Sequence, residues 1–164
     1  MREQFEFQSK GERISGDLFL PPGKPIAALV LTGPLTSVKE QASGAHARAL
    51  AERGFAALAF DHRYFGESGG QPRQFENPRA KVEDIRAAVA ALRESPKTRS
   101  LPLAAVGVCA GAGYMAAAAS GNANIRSLSW QQIELIKLSS ADGIDTESCG
   151  HSRGRCGNLR RRRR

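Results

Sequence analysis

The chain has 164 residues, of which 41% are hydrophobic and 24% are charged, and its formal net charge is +8 at pH 7. This length suffices for one domain with a hydrophobic core, whereas no apolar run reaches the roughly 20 residues of a membrane-spanning helix. The N-terminus has no apolar stretch typical of a signal peptide, and the three cysteines are an odd number that disfavours a disulfide framework, so we expect a cytoplasmic protein with no membrane partner.

The N-terminal stretch has the alternation of a β-hairpin. Phe5 and Phe7 alternate with polar residues, and a second alternating run extends from Ile14 to Leu20. The segment 10–12 between them is a turn candidate because it contains glycine, and Pro21 ends the second strand. We therefore predict two antiparallel strands at the start of the chain.

Three short, nearly continuous apolar runs follow, and they predict buried strands: Ile26–Leu31, Phe55–Phe60 and Leu103–Val108. Continuous apolarity is typical of parallel strands that are covered on both faces. The segments between the runs are long enough for crossover helices, the first over about 39–53 and the second from Pro78, with Asn77 as its N-cap, to Ser95. This order predicts an α/β fold, a three-layer α/β/α arrangement around a mostly parallel sheet with an antiparallel N-terminal hairpin.

The third apolar run leads into a turn with the spacing of a nucleophile elbow. Gly107-Val108-Cys109-Ala110-Gly111 joins the strand to a helix of small residues over 110–119. Because the backbone around an elbow is crowded, the positions two before and two after the nucleophile must be small, and here both are glycine. The helix N-terminus favours a thiolate. The pattern therefore predicts Cys109 as a nucleophile, and the alternative is a buried structural cysteine.

Three segments in register carry a resemblance to a known family. They are 32–41, 60–70 and 107–111, each directly after one of the central strands. Together they resemble the α/β-hydrolases, most closely the branch similar to dienelactone hydrolases, some of which use Cys at the elbow. The resemblance covers about residues 3–130. It implies an incomplete α/β-hydrolase domain over 1–130 that hydrolyses esters, lactones, thioesters or amides, with a small-molecule acyl substrate and no metal or organic cofactor.

The resemblance also implies where the oxyanion would bind. One donor is the backbone N–H of Ala110, the residue after the nucleophile, and the second comes from the loop after the first central strand. In that loop Gly33 permits a close approach, and Pro34 has no N–H, so Leu35 is the candidate donor. His62 is not expected to be the base, because the family's base comes late in the chain.

The pattern changes near the C-terminus. Residues 125–130 could form one further strand and 131–140 one amphipathic helix, whereas 141–164 has no usable period. We predict 131–164 as a whole to be an irregular, basic, disordered tail. Asp142, Asp145 and His151 follow Cys109 in the order of a triad acid and base, but a base needs fixed geometry, so the acid and the histidine stay unassigned. We expect the N-terminal part of a hydrolase followed by an unrelated tail, as a shifted reading frame would produce, with poor solubility and negligible turnover.

The tail leaves two other interpretations open. Residues 1–122 contain 15 Lys and Arg against 12 Asp and Glu, whereas 123–164 contains 9 against 4 and ends in Arg160–Arg164. A nucleic-acid-binding protein that acts through these arginines is the alternative function, although no aromatic residues interleave with them and a nucleic-acid partner is not expected. Cys149, His151 and Cys156 could ligate zinc, but a fourth ligand and the usual paired spacing are missing.

Overall fold

The protein contains six strands and three helices in the part of the chain that the computed structural model describes, residues 1–120, 122, 124, 125 and 127–131. The elements are β1 (Arg2–Ser9), β2 (Glu12–Phe19), β3 (Ala27–Thr32), α1 (Ala42–Glu52), β4 (Phe55–Phe60), α2 (Pro78–Glu94), β5 (Leu103–Val108), α3 (Ala110–Ala119) and β6 (Ser127–Gln131). Among these residues no helix combines the length and the apolar character that crossing a bilayer requires.

The six strands form one mixed sheet in the order β1-β2-β4-β3-β5-β6. β2 is antiparallel to both β1 and β4, and the remaining pairs are parallel. The hairpin turn consists of Lys10 and Gly11, whose φ angles are 51° and 85°. Two positive φ values in a two-residue loop match the right-handed twist of the flanking strands. The predicted hairpin and the predicted parallel strands are therefore confirmed.

Helices cover both faces of the sheet, which confirms the three-layer arrangement. On one face α2 and α3 pack against β2–β5, and this larger core includes Val30, Leu58, Ile85 and Met115. On the other face α1 packs through small residues such as Ala47 against β3 and β4. Asn77 caps α2, since its side-chain oxygen accepts a hydrogen bond from the N–H of Ala80 at 3.1 Å.

The structure differs from the predicted alternation in β2. The polar residues of this alternating run, Ser15 and Asp17, are buried, with only 1% and 6% of their surface exposed. The reason is that β2 lies inside the sheet and both polar residues have partners. The N–H of Ser15 donates to Ser68 Oγ at 2.9 Å, and Asp17 accepts a hydrogen bond from Arg2 at 2.7 Å.

Two predicted boundaries also shift. Ile26 is 61% exposed and precedes β3, which extends to Thr32 instead. The first helix begins at Ala42 rather than near Lys39, because the backbone N–H of Lys39 donates to Asp61 Oδ1 at 2.7 Å. Residues 39–41 are consequently a turn that is attached to the end of β4.

Candidate active site

The candidate site lies where the chain leaves β3 and β5 at their carboxyl ends. These strands are neighbours, and Thr32 at the end of β3 pairs with Gly107 in β5. From β3 the chain continues to α1 on one face, and from β5 it continues to α3 on the other. In open α/β sheets such a switch point creates a crevice in which ligands bind.

Cys109 occupies the turn between β5 and α3. Its backbone angles are φ 55° and ψ −127°, a conformation that side-chain-bearing residues adopt at a cost of about 1–3 kcal/mol. The residue is partly buried and its thiol is free. It immediately precedes the first residue of α3, Ala110, whose N–H has no intrahelical acceptor because it belongs to the first turn. The thiol and this N–H group therefore lie at one helix N-terminus.

The two glycines that flank Cys109 occupy positions where a larger residue does not fit. A Cβ atom on Gly107 would lie 2.4 Å from the Cα of Ala112. A Cβ atom on Gly111 would lie 2.4 Å from the carbonyl oxygen of Gly33 and 2.7 Å from that of Thr32. The first turn of α3 thus packs directly on the backbone at the end of β3.

The loop after β3 contains the predicted second oxyanion donor. Ser37 closes this loop into a turn, since its hydroxyl and its N–H both donate to the carbonyl oxygen of Pro34, at 2.8 and 3.2 Å. A Cβ atom on Gly33 would lie 2.4 Å from Ser37 Oγ, so the turn is tight. Leu35 lies within it and is 46% exposed.

Asp61 and His62, directly after β4, contact the two ends of that loop. Asp61 Oδ1 accepts the N–H of Lys39 at 2.7 Å, and Asp61 Oδ2 accepts the N–H of Glu67 at 2.9 Å. His62 Nε2 lies 2.9 Å from Thr32 Oγ1. Both side chains are buried.

His62 has the environment of a neutral structural histidine. Burial lowers its pKa, and the nearby carboxylate of Asp84 offsets this effect only in part. Its Nδ1 is 3.5 Å from Asp84 Oδ2, which is longer than a hydrogen bond. The ring also packs edge-on against Phe60, with centroids 4.8 Å apart.

Arg63 and Asp84 form a buried ion pair behind the site that the sequence analysis did not identify. The guanidinium Nε of Arg63 donates to Asp84 Oδ1 at 2.7 Å, and its backbone N–H donates to Oδ2 at 2.9 Å. Ser9 Oγ donates to Asp84 Oδ1 at 2.7 Å. Burial raises the pKa of Asp84, but the contact with His62 and the hydrogen bonds from Ser9 and Arg63 outweigh burial and keep the pKa below its usual value.

The carboxylates of Glu40, Asp61 and Glu67 form a cluster near the loop. One oxygen atom from each lies within 4.8 Å of the other two. The ammonium group of Lys39 lies among them, at 2.8, 3.1 and 2.6 Å from their oxygens. Burial lowers the pKa of Lys39, but the hydrogen bonds to these carboxylates outweigh it and raise the pKa overall. The cluster is therefore satisfied by an internal cation.

The residues proposed for the acid and the base, Asp142, Asp145 and His151, lie outside the described residues, as do Cys149, Cys156 and Arg160–Arg164. The two histidines in the described part have other neighbours: His62 contacts Thr32, and His46 Nδ1 lies 2.6 Å from the carbonyl oxygen of Ala42. Within that part the Cys109 thiol has no hydrogen-bond partner.

The strand order, the layers and the position of the site define an α/β-hydrolase. The family model described as serine aminopeptidase, S33, matches residues 41–131, more than half of the chain. The chain belongs to this hydrolase family.

The chain is also similar to individual proteins. The uncharacterized protein YcjY of Escherichia coli is 41% identical over 119 residues, which are 70% of this chain and 39% of that protein. A thiohydrolase of Aspergillus aculeatus is 36% identical over 86 residues, 52% of this chain and 27% of the relative. The crystal structure of a hypothetical protein from Pseudomonas aeruginosa superposes with a TM-score of 0.77 and 34% identity, over 81% of this chain and 43% of the other.

The predicted similarity to dienelactone hydrolases is also found at the level of the fold. The dienelactone hydrolase of Anabaena variabilis superposes with a TM-score of 0.67 and 15% identity, over 81% of this chain and 63% of that structure. The chain thus spans about two fifths of the length of the E. coli relative and under two thirds of both solved structures.

Proposed function

We propose that the protein is an acyl-transfer hydrolase in which Cys109 is the nucleophile. The observation that carries this proposal is the backbone of Cys109, which has a positive φ at the start of α3 between two glycines that no larger residue could replace. A strained backbone conformation persists only where contacts with the rest of the fold enforce it, and such conformations are frequent at active sites.

The reaction begins when the Cys109 thiolate attacks the carbonyl carbon of the substrate. The carbonyl oxygen becomes an oxyanion, which the N–H groups of Ala110 and Leu35 stabilise. The tetrahedral intermediate collapses, and the bond from the carbonyl carbon to the oxygen, sulfur or nitrogen of the leaving group breaks. The leaving group takes up a proton from water and departs as the alcohol, thiol or amine, and the acyl group stays on Cys109 as a thioester. Water then hydrolyses this thioester to the carboxylic acid and restores the thiol.

The substrate class is a small-molecule ester, lactone, thioester or amide. A thiol nucleophile suits a thioester because the attack replaces one thioester by another. A relative from A. aculeatus is named a thiohydrolase. Deacylation needs a base that activates water, and no described residue is assigned to this role. We therefore expect deacylation to be slower than acylation.

The experiment that tests this function is a burst measurement with p-nitrophenyl acetate. The reference protein is the Cys149→Ser/Cys156→Ser double variant, which keeps Cys109 as its one thiol. We expect about one equivalent of p-nitrophenolate per protein and an acetyl group that peptide mapping locates on Cys109. Adding Cys109→Ala should abolish the burst. A burst of equal size in the variant without Cys109 would contradict the proposal.

A further inference from the structure

The oxyanion loop, defined as residues 33–38, has neighbours that fix it at both ends. At its start, Thr32 Oγ1 lies 2.9 Å from His62 Nε2. At its end, the N–H of Lys39 donates to Asp61 Oδ1 at 2.7 Å. Two consecutive residues of another strand end therefore contact the residues immediately before and after the loop.

The side chains of Asp61 and His62, which make these two contacts, are themselves held in place. The carboxylate of Asp61 also accepts the N–H of Glu67, and a Cβ atom on Gly66 would lie 2.2 Å from Asp61 Oδ2. The His62 ring is buried against Phe60. Asp61 and His62 have little freedom to move, so the ends of the oxyanion loop have little freedom either.

The start of the loop also contacts the turn that contains Cys109. The carbonyl oxygens of Thr32 and Gly33 lie only 2.7 and 2.4 Å from the position that a Cβ atom on Gly111 would occupy. A displacement of Thr32 consequently changes the distance between the loop and the first turn of α3. An oxyanion donor is effective only within about 2.7–3.1 Å of the developing charge, so such displacements alter acyl transfer.

We infer that Asp61 and His62 form a clamp that positions the Leu35 N–H relative to Cys109, which makes both of them positioning residues for acyl transfer. The inference rests on the proposed function and extends it to residues that do not touch the substrate. His62 acts through Thr32, and Asp61 acts through Lys39.

The test compares two reactions of the same thiol in the reference protein. Acylation by p-nitrophenyl acetate passes through an oxyanion, whereas alkylation by iodoacetamide displaces iodide from a methylene carbon and forms none. We expect Thr32→Val, which removes the hydroxyl at nearly constant volume, to slow acylation about 10- to 100-fold. Alkylation should change less than about twofold, because thiol access and reactivity are retained.

Two further variants separate positioning from a general structural effect. Thr32→Ser keeps the hydroxyl and should retain the acylation rate. His62→Phe keeps a buried ring without the Nε2 that contacts Thr32, although it also removes the Nδ1 that faces Asp84. It should reproduce the loss seen in Thr32→Val. In the double variant Thr32→Val/His62→Phe, acylation should be no slower than in the slower of the two single variants. The reason is that each substitution removes the same contact, the one between Thr32 and His62.

The outcomes are distinguishable from failure of the proposed function. If Thr32→Val slows acylation and alkylation equally, or slows neither, the clamp inference is wrong while Cys109 can still be the nucleophile. If the reference protein is not acylated on Cys109 at all, the proposed function is wrong and the clamp inference fails with it.

Discussion

The turn after β5 and the loop after β4 lie at the carboxyl ends of two strands, on the same side of the sheet, but they differ in composition and in hydrogen bonding. The turn consists of small residues around a strained Cys109 whose thiol has no hydrogen-bond partner in the described ranges. The loop contains Asp61, His62 and Arg63, all buried and all in polar contact with distant elements. Cys109 is partly buried and packs against the larger core, and crowded backbone fixes its position, whereas polar contacts fix the position of the loop after β4.

The largest effect should follow from breaking the polar support at Asp84. Asp84→Ala would remove the buried carboxylate that accepts hydrogen bonds from the Nε and the backbone N–H of Arg63 and from Ser9 Oγ. These donors would be left buried without that acceptor, and we expect a loss of about 3–5 kcal/mol in the free energy of unfolding. Glu83→Gln is the matched control, because Glu83 pairs with the same Arg63 at 2.7 Å but is 40% exposed. Its cost should be about 0–1 kcal/mol. Urea unfolding of both variants measures the difference, and equal costs would refute the account of the ion pair.

An intermediate effect should follow from enlarging the turn after β5. Gly107→Ala places a Cβ atom against the backbone of Ala112, and we expect about 1–3 kcal/mol of destabilisation together with slower acylation of Cys109. Gly113→Ala serves as the comparison in the same helix, since a Cβ atom there meets nothing within 4 Å. This change should stabilise the protein by about 0.5–1 kcal/mol. Similar destabilisation by both changes would show that crowding is not the cause.

The smallest effect should be a pH dependence that originates at His62. Its pKa is lowered in the folded protein, so on acidification the unfolded chain binds a proton first, near the unperturbed pKa of about 6.5. Stability due to this residue is therefore fully present above that value and decreases as pH falls toward the folded pKa, by at most about 1.4 kcal/mol per pH unit. Unfolding midpoints of the wild type and His62→Phe between pH 5 and pH 8 should differ in slope. Parallel curves would show that His62 does not titrate on unfolding.

The turn after β5 could be predicted from the sequence because its signals are local. Gly107, Cys109 and Gly111 lie within five residues, and the crowding that requires glycine arises mostly between chain neighbours and the adjacent strand. The hairpin, the buried strands and the N-cap at Asn77 were predictable for the same reason, since each depends on residues close in sequence.

The loop after β4 could be located but not interpreted, because its partners are distant in sequence. Asp84 is 21 residues from Arg63 and 75 from Ser9. The periodicity of α2 does not indicate that Asp84 is buried. Its position next to Ile85, on the apolar side of the helix, was only a weak sign of burial. The burial of Ser15 was missed likewise, since its partner Ser68 comes from this loop.

Folding should make the Cys109 thiol more reactive toward an acyl donor, and a comparison of the folded with the unfolded protein tests this. The wild-type chain would be treated with p-nitrophenyl acetate, natively and in concentrated urea, and acetylation of Cys109, Cys149 and Cys156 would be quantified by peptide mapping. We expect Cys109 to be acetylated faster in the native protein than in urea, because the oxyanion donors are brought together only on folding. Slower acetylation of Cys109 in the native state, as expected for a structural cysteine, would contradict it.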